Sequence, residues 1–285
     1  MVSAKRRKLT SFIALGLLLV IAGLIGGCSR QESTPEKTEG KKLSGTITVA
    51  GSTSVQPFSE VLAEEFARTY PGVQVDVQGG GSSQGIQAVI GGAADIGASS
   101  RELKPEEKTS GLVATTIALD GIAVIVHPSN QVNEIALAAL KDVYMGRINN
   151  WKQLGGSDSP ITVVCREAGS GTRGAFEELV MNKENISNRV IIQNSTGAVK
   201  TTVAGDEKAI GFVSMAAIDQ DIKTLKIDSA EASVANVKNG SYKISRPFLY
   251  LTKGQPEGLA KAFIEYVLSD EGQGLMQEEG AISVK

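Results

Sequence analysis

The stretch ITVVCREAGSGTRGAFEELV, residues 161–180, decides how the rest of the chain is read. Its first five residues are apolar and mostly β-branched, the make-up of a buried strand. Its last six, AFEELV, place Phe176, Leu179 and Val180 at i, i+3 and i+4, the spacing of a helix face. Between them lies REAGSGTRG (166–174), so a strand gives way to a glycine turn and the turn to a helix. Residues 169–174 fit G-x-G-x-x-G. Such a turn has three readings: it holds a dinucleotide, a serine in it does chemistry, or it holds an anion.

The same alternation runs outward in both directions. TITVA (46–50), VQVDVQ (73–78), DIGAS (95–99), GIAVIVHP (121–128), AIGFVS (209–214) and FLYL (248–251) read as strands. QPFSEVLAEEFARTY (56–70) sets Phe58, Val61, Leu62 and Phe66 at helical spacing, and GIQAVI (85–90) puts Ile86, Val89 and Ile90 on one face. PEGLAKAFIEYVLS (256–269) is a further amphipathic helix. This predicts an α/β fold with mostly parallel strands flanked by helices, and from residue 43 onward there is chain enough for two compact domains.

The first 27 residues read differently. KRRK (5–8) precedes the apolar run 9–27, which ends in small residues and Cys28, and the polar segment 29–42 follows at once. A cysteine in that position resembles a bacterial lipobox, with Cys28 acylated and residues 28–42 serving as lipid anchor and flexible tether. An uncleaved membrane-spanning anchor is the other reading, since nineteen residues can cross a bilayer. On either reading the rest of the chain works outside the cytoplasmic membrane, on its outer face. Removing residues 1–27 leaves 25 Lys+Arg against 31 Asp+Glu, a formal charge of −6. That balance argues against a nucleic-acid partner. With one histidine and only Cys165 besides Cys28, no metal cluster can be assembled. Cys165, inside an apolar run, reads as a small buried hydrophobe.

AGSTSVQPF (50–58), GGGSSQGI (79–86) and AGSGTRGAF (168–176) share one design: a strand, then Gly with Ser or Thr, then a helix start. Each frees backbone N–H groups, adds hydroxyl donors and presents the positive end of a helix. Any one of them is adequately explained as an ordinary cap and turn. Three together, with Arg166 at a strand end, suit a compact tetrahedral oxyanion held largely by neutral donors. Asp95, in AADIG, would add a like charge. It makes sense if the ligand carries a proton that a carboxylate can accept, or else as a plain turn residue.

These motifs resemble those of the phosphate-binding lipoproteins of bacterial high-affinity phosphate ABC importers. GSTSVQPF, GGGSSQGIQAV, GAADIGASSREL (92–103), LKDVYMGRINNWKQLGG (140–156), REAGSGTRGAF, AIGFVSM (209–215) and EGQGLM (271–276) stand in the expected order across nearly the whole mature chain. The resemblance implies a two-lobed, type II-like periplasmic-binding-protein fold with two hinge crossings, near Asp120–Gly121 and near 244–246. It implies lobe I from 43–120 plus 246–285 and lobe II from 121–245, with inorganic phosphate between them. It further implies a monomer that closes on phosphate and delivers it to a membrane permease, without cofactor or catalysis. Carried over by position, Thr53, Ser54, Ser82, Asp95, Arg166, Ser170, Gly171 and Thr172 bind phosphate, and Ser52, Ser83, Ser100 and Arg101 lie near enough to join them. The chain departs from some relatives at Ser54, where they have an aromatic, and at Ala168, where they have an acid that helps hold the arginine. Arg101 either holds Asp95 ionised or reaches the cleft rim.

The competing classes fare worse. A dinucleotide enzyme needs an acidic residue ending the next strand, yet Glu184 falls in the polar segment 179–190. A serine hydrolase needs a base, and the one histidine, His127, ends a strand before Pro128 while G-x-S-x-G is not matched at Ser170. Trp151 suits core or hinge packing. A binder of sulfate or molybdate on the same architecture is the serious rival, with Asp95 favouring phosphate.

Overall fold

The computed structural model describes residues 43–285. The expected signal, Cys28 and the tether lie outside the described residues. In chain order the elements are β1 (Gly45–Gly51), α1 (Gln56–Thr69), β2 (Val73–Gly79), α2 (Ser82–Ile90), β3 (Ile96–Ser99), α3 (Pro105–Lys108) and β4 (Leu112–Val126). There follow β5 (Glu134–Ile135), α4 (Leu137–Tyr144), β6 (Thr162–Arg166), α5 (Gly171–Leu179), β7 (Ile191–Gln193), α6 (Thr196–Ala204) and β8 (Ala209–Ser214). The chain ends with β9 (Lys223–Thr224), β10 (Lys226–Ile227), α7 (Val234–Lys238), β11 (Ser245–Lys253), α8 (Gly258–Val267) and α9 (Asp270–Glu278).

Among the described residues the main sheet has nine strands, ordered β2-β1-β3-β11-β4-β8-β6-β7, with β9 on β4. The flanks are parallel as expected: β1 with β2 and β3, and β6 with β7 and β8. The centre is not. β4 and β11 are antiparallel to each other, and each is antiparallel to the flank it adjoins. The reason is connectivity: one strand carries the chain from one core to the other and the second brings it back, so the two must run in opposite senses.

β4 shows how this works. Its residues 112–121 pair with β11, and its residues 122–126 pair with β8. The change of partner falls at Asp120 and Gly121, and Asp120 stands opposite Arg246 in the register. Two hydrophobic cores lie on either side of this point. One gathers Ile47, Val49, Phe58, Leu62, Phe66, Phe248 and Phe263. The other gathers residues 122–126 with Tyr144, Trp151, Phe176 and Phe212. In the second core Phe176 and Phe212 stack with centroids 4.1 Å apart, and Cys165 is buried, its thiol pushed up to about 11 by desolvation. The helix face read from 176–180 is narrower than expected, because Phe176 and Val180 are buried but Leu179 points outward. Trp151 is a core residue, its Nε1 donating to the Lys208 carbonyl at 2.9 Å.

Both crossings meet in one buried polar knot. Arg246 Nε and Nη2 donate to Asp120 Oδ2 at 3.1 and 3.0 Å, and Ser214 Oγ donates to Asp120 Oδ1 at 2.8 Å. Burial pushes the Asp120 carboxyl up and the Arg246 guanidinium down; each charge opposes the other's shift, and neighbouring Arg166 adds to the pressure on Arg246. Breaking such a pair by removing one member strands a buried charge and costs about 3–5 kcal/mol. Asp120→Ala should therefore lower the melting temperature by on the order of 10 °C, read by circular dichroism. A shift of under ~3 °C would show that the knot contributes little to stability.

Candidate functional site

The parallel flanks place the carboxyl ends of β1, β2 and β3 on one edge and those of β6, β7 and β8 on another, and helices α1, α2, α5 and α6 begin just beyond them. Ligands in open α/β sheets collect at such ends. Each of the four helices begins with first-turn N–H groups that have no intrahelical acceptor.

The first turn is shaped by Gly51. Its φ is +143°, and a Cβ there would sit 2.2 Å from the Ala98 carbonyl oxygen. Only glycine lets β1 end this close to β3. As a result Ser52 N–H donates to Ala98 O at 2.9 Å, and Ser52 Oγ donates to Ser100 Oγ at 2.8 Å. The second turn brings Ser82 to the same place: its Oγ accepts from Ser100 N–H at 3.1 Å and lies 3.4 Å from Ser100 Oγ. The third turn approaches from the other core. A Cβ on Gly171 would lie 2.1 Å from Ser82 Oγ and 2.6 Å from Ser100 Oγ, so the backbone of α5's first residue is seated directly on these hydroxyls.

Ser54 links the two sides, with its Oγ 3.0 Å from both Thr172 Oγ1 and Thr196 Oγ1. Thr53 Oγ1 accepts from Thr196 N–H at 3.2 Å. Arg166 is 2 % exposed despite its charge and reaches Thr196 Oγ1 with Nη1 at 3.3 Å. The expected cluster is thus assembled from Ser52, Thr53, Ser54, Ser82, Ser100, Arg166, Gly171 and Thr172. Ser170 is buried beside it, but its Oγ accepts from Arg173 N–H at 3.2 Å and so caps α5. A cavity of about 60 Å³ adjoins the cluster, lined by Thr53, Ser54, Phe58, Thr196, Ser214 and Glu279 among others.

Glu167 settles how Arg166 is oriented in the absence of an acid at position 168. Its carboxylate accepts from Arg166 Nε at 2.8 Å and from Nη2 at 2.9 Å, a two-pronged grip that leaves Nη1 facing the threonine. The two arginines whose guanidinium groups reach Thr196 and Ser100 each have a carboxylate partner: Glu167 for Arg166, Asp120 for Arg246. The charge the site offers an anion is carried mainly by hydroxyls, backbone N–H groups and helix ends, with one guanidinium edge.

Asp95 requires a correction. It is exposed at the start of β3, and its Oδ2 accepts from Thr48 N–H at 2.8 Å. Strand geometry puts it roughly 16 Å from Ser100, at the opposite end of a fully extended segment. It cannot accept a proton from a ligand held by the cluster; Ser100 occupies the strand end that faces the turns. Arg101 likewise does not hold Asp95. Its guanidinium is bound by Glu107, with Nη2 donating to Ser83 Oγ at 3.1 Å.

Thr196 is the residue that sequence reasoning missed. It follows Ser195, whose Oγ caps α6 by accepting from Ala198 N–H at 3.1 Å, and it is the first residue of α6 within STGAV (195–199), a fourth strand–hydroxyl–glycine–helix turn. The signal was present but weak, because β7 before it is three residues long and carries exposed Ile191 and Ile192. Asp120, Ser214 and Arg246 were also not singled out as polar partners.

Among the described residues no group of three or more His, Cys, Asp or Glu could hold a metal ion, and no helix is long and apolar enough to cross a membrane.

The chain resembles known proteins over most of its length. The profile of the PBP superfamily domain matches residues 36–271. The phosphate-binding protein PstS of Bacillus subtilis is 33% identical over 288 residues, covering 98% of this chain and 95% of the relative. A crystal structure of a Clostridium perfringens protein, described as a putative phosphate ABC transporter substrate-binding protein with bound phosphate, is 44% identical with a TM-score of 0.82, covering 85% of this chain and 100% of that one. An ABC-type phosphate transport receptor from Vibrio cholerae is 38% identical with a TM-score of 0.70, covering 83% and 99%. The chain belongs to the PBP superfamily and, within it, to the family of the phosphate-binding protein PstS.

Proposed function

We propose that this chain is the extracytoplasmic solute-binding protein of a phosphate ABC importer, which captures inorganic phosphate between two lobes and hands it to the membrane permease. The observation that carries the reading is the convergence of four helix N-termini and their hydroxyls on the edge of one buried arginine. Six hydroxyl-bearing residues, Ser52, Ser54, Ser82, Ser100, Thr172 and Thr196, supply donors that rotate to suit a tetrahedral anion. Relatives and structural neighbours named for phosphate support it.

In this reading the lobes are 43–120 with 246–285, and 121–245, meeting at the Asp120–Arg246 knot. The contacts that join Ser54 to Thr172 and Thr196 belong to the closed form. Closure shuts water out and strengthens each donor–anion bond in the low dielectric. Residues 1–27 act as a lipoprotein signal, Cys28 is the acylated residue and 28–42 the tether, so the protein works as a monomer anchored on the outer face of the membrane. It performs no chemical step and uses no cofactor.

One observation favours a second reading. With Asp95 outside the cluster, and Glu167 and Asp120 committed to arginines, serine and threonine hydroxyls are left to accept a ligand proton. Hydroxyls can donate as well as accept, so they reject an unprotonated oxyanion less firmly than a carboxylate does. Sulfate or molybdate then competes better than a carboxylate-gated site would allow.

Calorimetric titration of residues 29–285, after unfolding and dialysis to strip carried-over ligand, should show one-to-one phosphate binding with sulfate weaker. Heat from sulfate equal to that from phosphate would move the assignment to the second reading, and heat from neither would overturn both. Arg166→Met should weaken phosphate binding by roughly 10–100-fold, the worth of a charge-assisted bond. Asp95→Asn should leave both affinity and the phosphate-to-sulfate ratio within about 2-fold, below 0.5 kcal/mol. A large change in that ratio would restore Asp95 to the site against the geometry.

A further inference from the structure

Arg101 follows Ser100 directly, yet its side chain turns away from the hydroxyl cluster. It is 6% exposed, and its partner Glu107 is 9% exposed. Nη1 and Nη2 donate to Glu107 Oε2 and Oε1 at 2.7 and 2.8 Å, Nη1 also donates to the Glu102 carbonyl at 2.8 Å, and Nη2 donates to Ser83 Oγ at 3.1 Å. Burial alone would raise the Glu107 carboxyl, but the Arg101 hydrogen bonds and charge, with the Lys104 N–H, hold it below its ordinary value.

Across the seam stands α5. Gly169 O accepts from Ser83 N–H at 3.0 Å, and one turn further along the helix Gly174 faces the Arg101 stem. A Cβ on Gly174 would lie 2.9 Å from Arg101 Cδ. An arginine stem ordinarily swings aside from such a contact at little cost. This one cannot, because its far end is fixed by four hydrogen bonds to three different groups. The stem is a rigid ledge, and the missing side chain of Gly174 is the space that lets α5 rest on it. Nothing in the helix itself asks for glycine there, since its φ is not in the left-handed region.

We infer that the Arg101 stem, fixed by Glu107, and the gap left by Gly174 form a closure latch: a rigid ledge and the notch that fits over it, which touch no ligand, and a side chain filling the notch keeps the cleft from shutting fully. The inference rests on the phosphate-binding reading above. It differs from the role of Arg166, which lies on the ligand itself. A latch that acts only on the closed form changes release and leaves capture alone, because encounter takes place with the lobes apart.

The test compares phosphate association and dissociation rates in the wild-type mature chain and in Gly174→Leu. The variant should release phosphate at least ~10-fold faster with an association rate within ~2-fold of wild type, and its unliganded melting temperature should be unchanged. Adding Arg101→Ala to Gly174→Leu removes the obstruction and should return release to within ~3-fold of wild type. Should Gly174→Leu fail to fold, Gly174→Ala, a change that favours the helix, should still speed release several-fold. If the wild type binds phosphate and the glycine variants release it at the wild-type rate, the latch is wrong and the phosphate reading stands. If the wild type binds no phosphate, the functional reading fails and takes the latch with it. Faster release that Arg101→Ala does not reverse would show a general disturbance of α5 and also sink the latch.

Discussion

The Asp120–Arg246 pair is the constraint on which the rest of the structure depends. It sits where the chain passes from one hydrophobic core to the other and where it returns, and both side chains are at most 1% exposed. Arg246 Nη1 also donates to the Ser100 carbonyl at 3.1 Å, so the same guanidinium that ties the two crossings fixes the strand end beneath the cluster. Ser214, from the end of β8, completes the carboxylate's shell. An ion pair of this kind gains little net stability over well-packed apolar groups. Its place is what matters: it joins β4 to β11 where β4 changes partner from β11 to β8, between the two sets of helix termini.

From that constraint the site follows without special chemistry. Parallel strands bring their carboxyl ends to common edges, short glycine turns start helices there, and each helix presents N–H groups and a hydroxyl. The glycines matter at two contacts. Gly51 allows β1 to end against Ala98, and Gly171 allows α5 to lie on Ser82 and Ser100. A side chain at either place would hold the hydroxyls apart. Charge is spent sparingly, since each buried arginine is matched by a carboxylate, and in the proposed site an anion would meet mainly neutral donors. Neutral donors suit a carrier that must release its cargo, because they hold an anion without the desolvation cost of a second unpaired charge.

Much of this was legible in the sequence, and the parts that were not have physical causes. The three turns announced themselves through Gly, Ser and Thr after apolar runs, and Arg166 through its place at the end of ITVVC. Thr196 escaped because β7 is short and its isoleucines are exposed, so the strand before the turn carries almost no periodic signal. Asp95 was assigned by carrying a position over from the family resemblance, where spacing alone had left it open between a proton acceptor and a turn residue. It precedes β3, and in a parallel sheet the amino end of a strand lies away from the turns, so the topology, once read, pointed to Ser100 instead. The grip of Glu167 on Arg166 joins neighbours in sequence, which extended backbone would send to opposite faces. It forms because β6 ends at Arg166 and the chain turns there. The antiparallel centre could not be read from strand patterns at all, since it records how often the chain crosses and not what the strands are made of.

A crystal structure of the mature chain grown with phosphate tests the central claim most directly. The account predicts a single anion whose oxygens lie within hydrogen-bond distance of Ser54, Ser82, Ser100, Thr172, Thr196 and Arg166, with Asp95 still on the Thr48 N–H. An anion bound elsewhere, or one accepted by the Asp95 carboxylate after a rearrangement of β3, would contradict it.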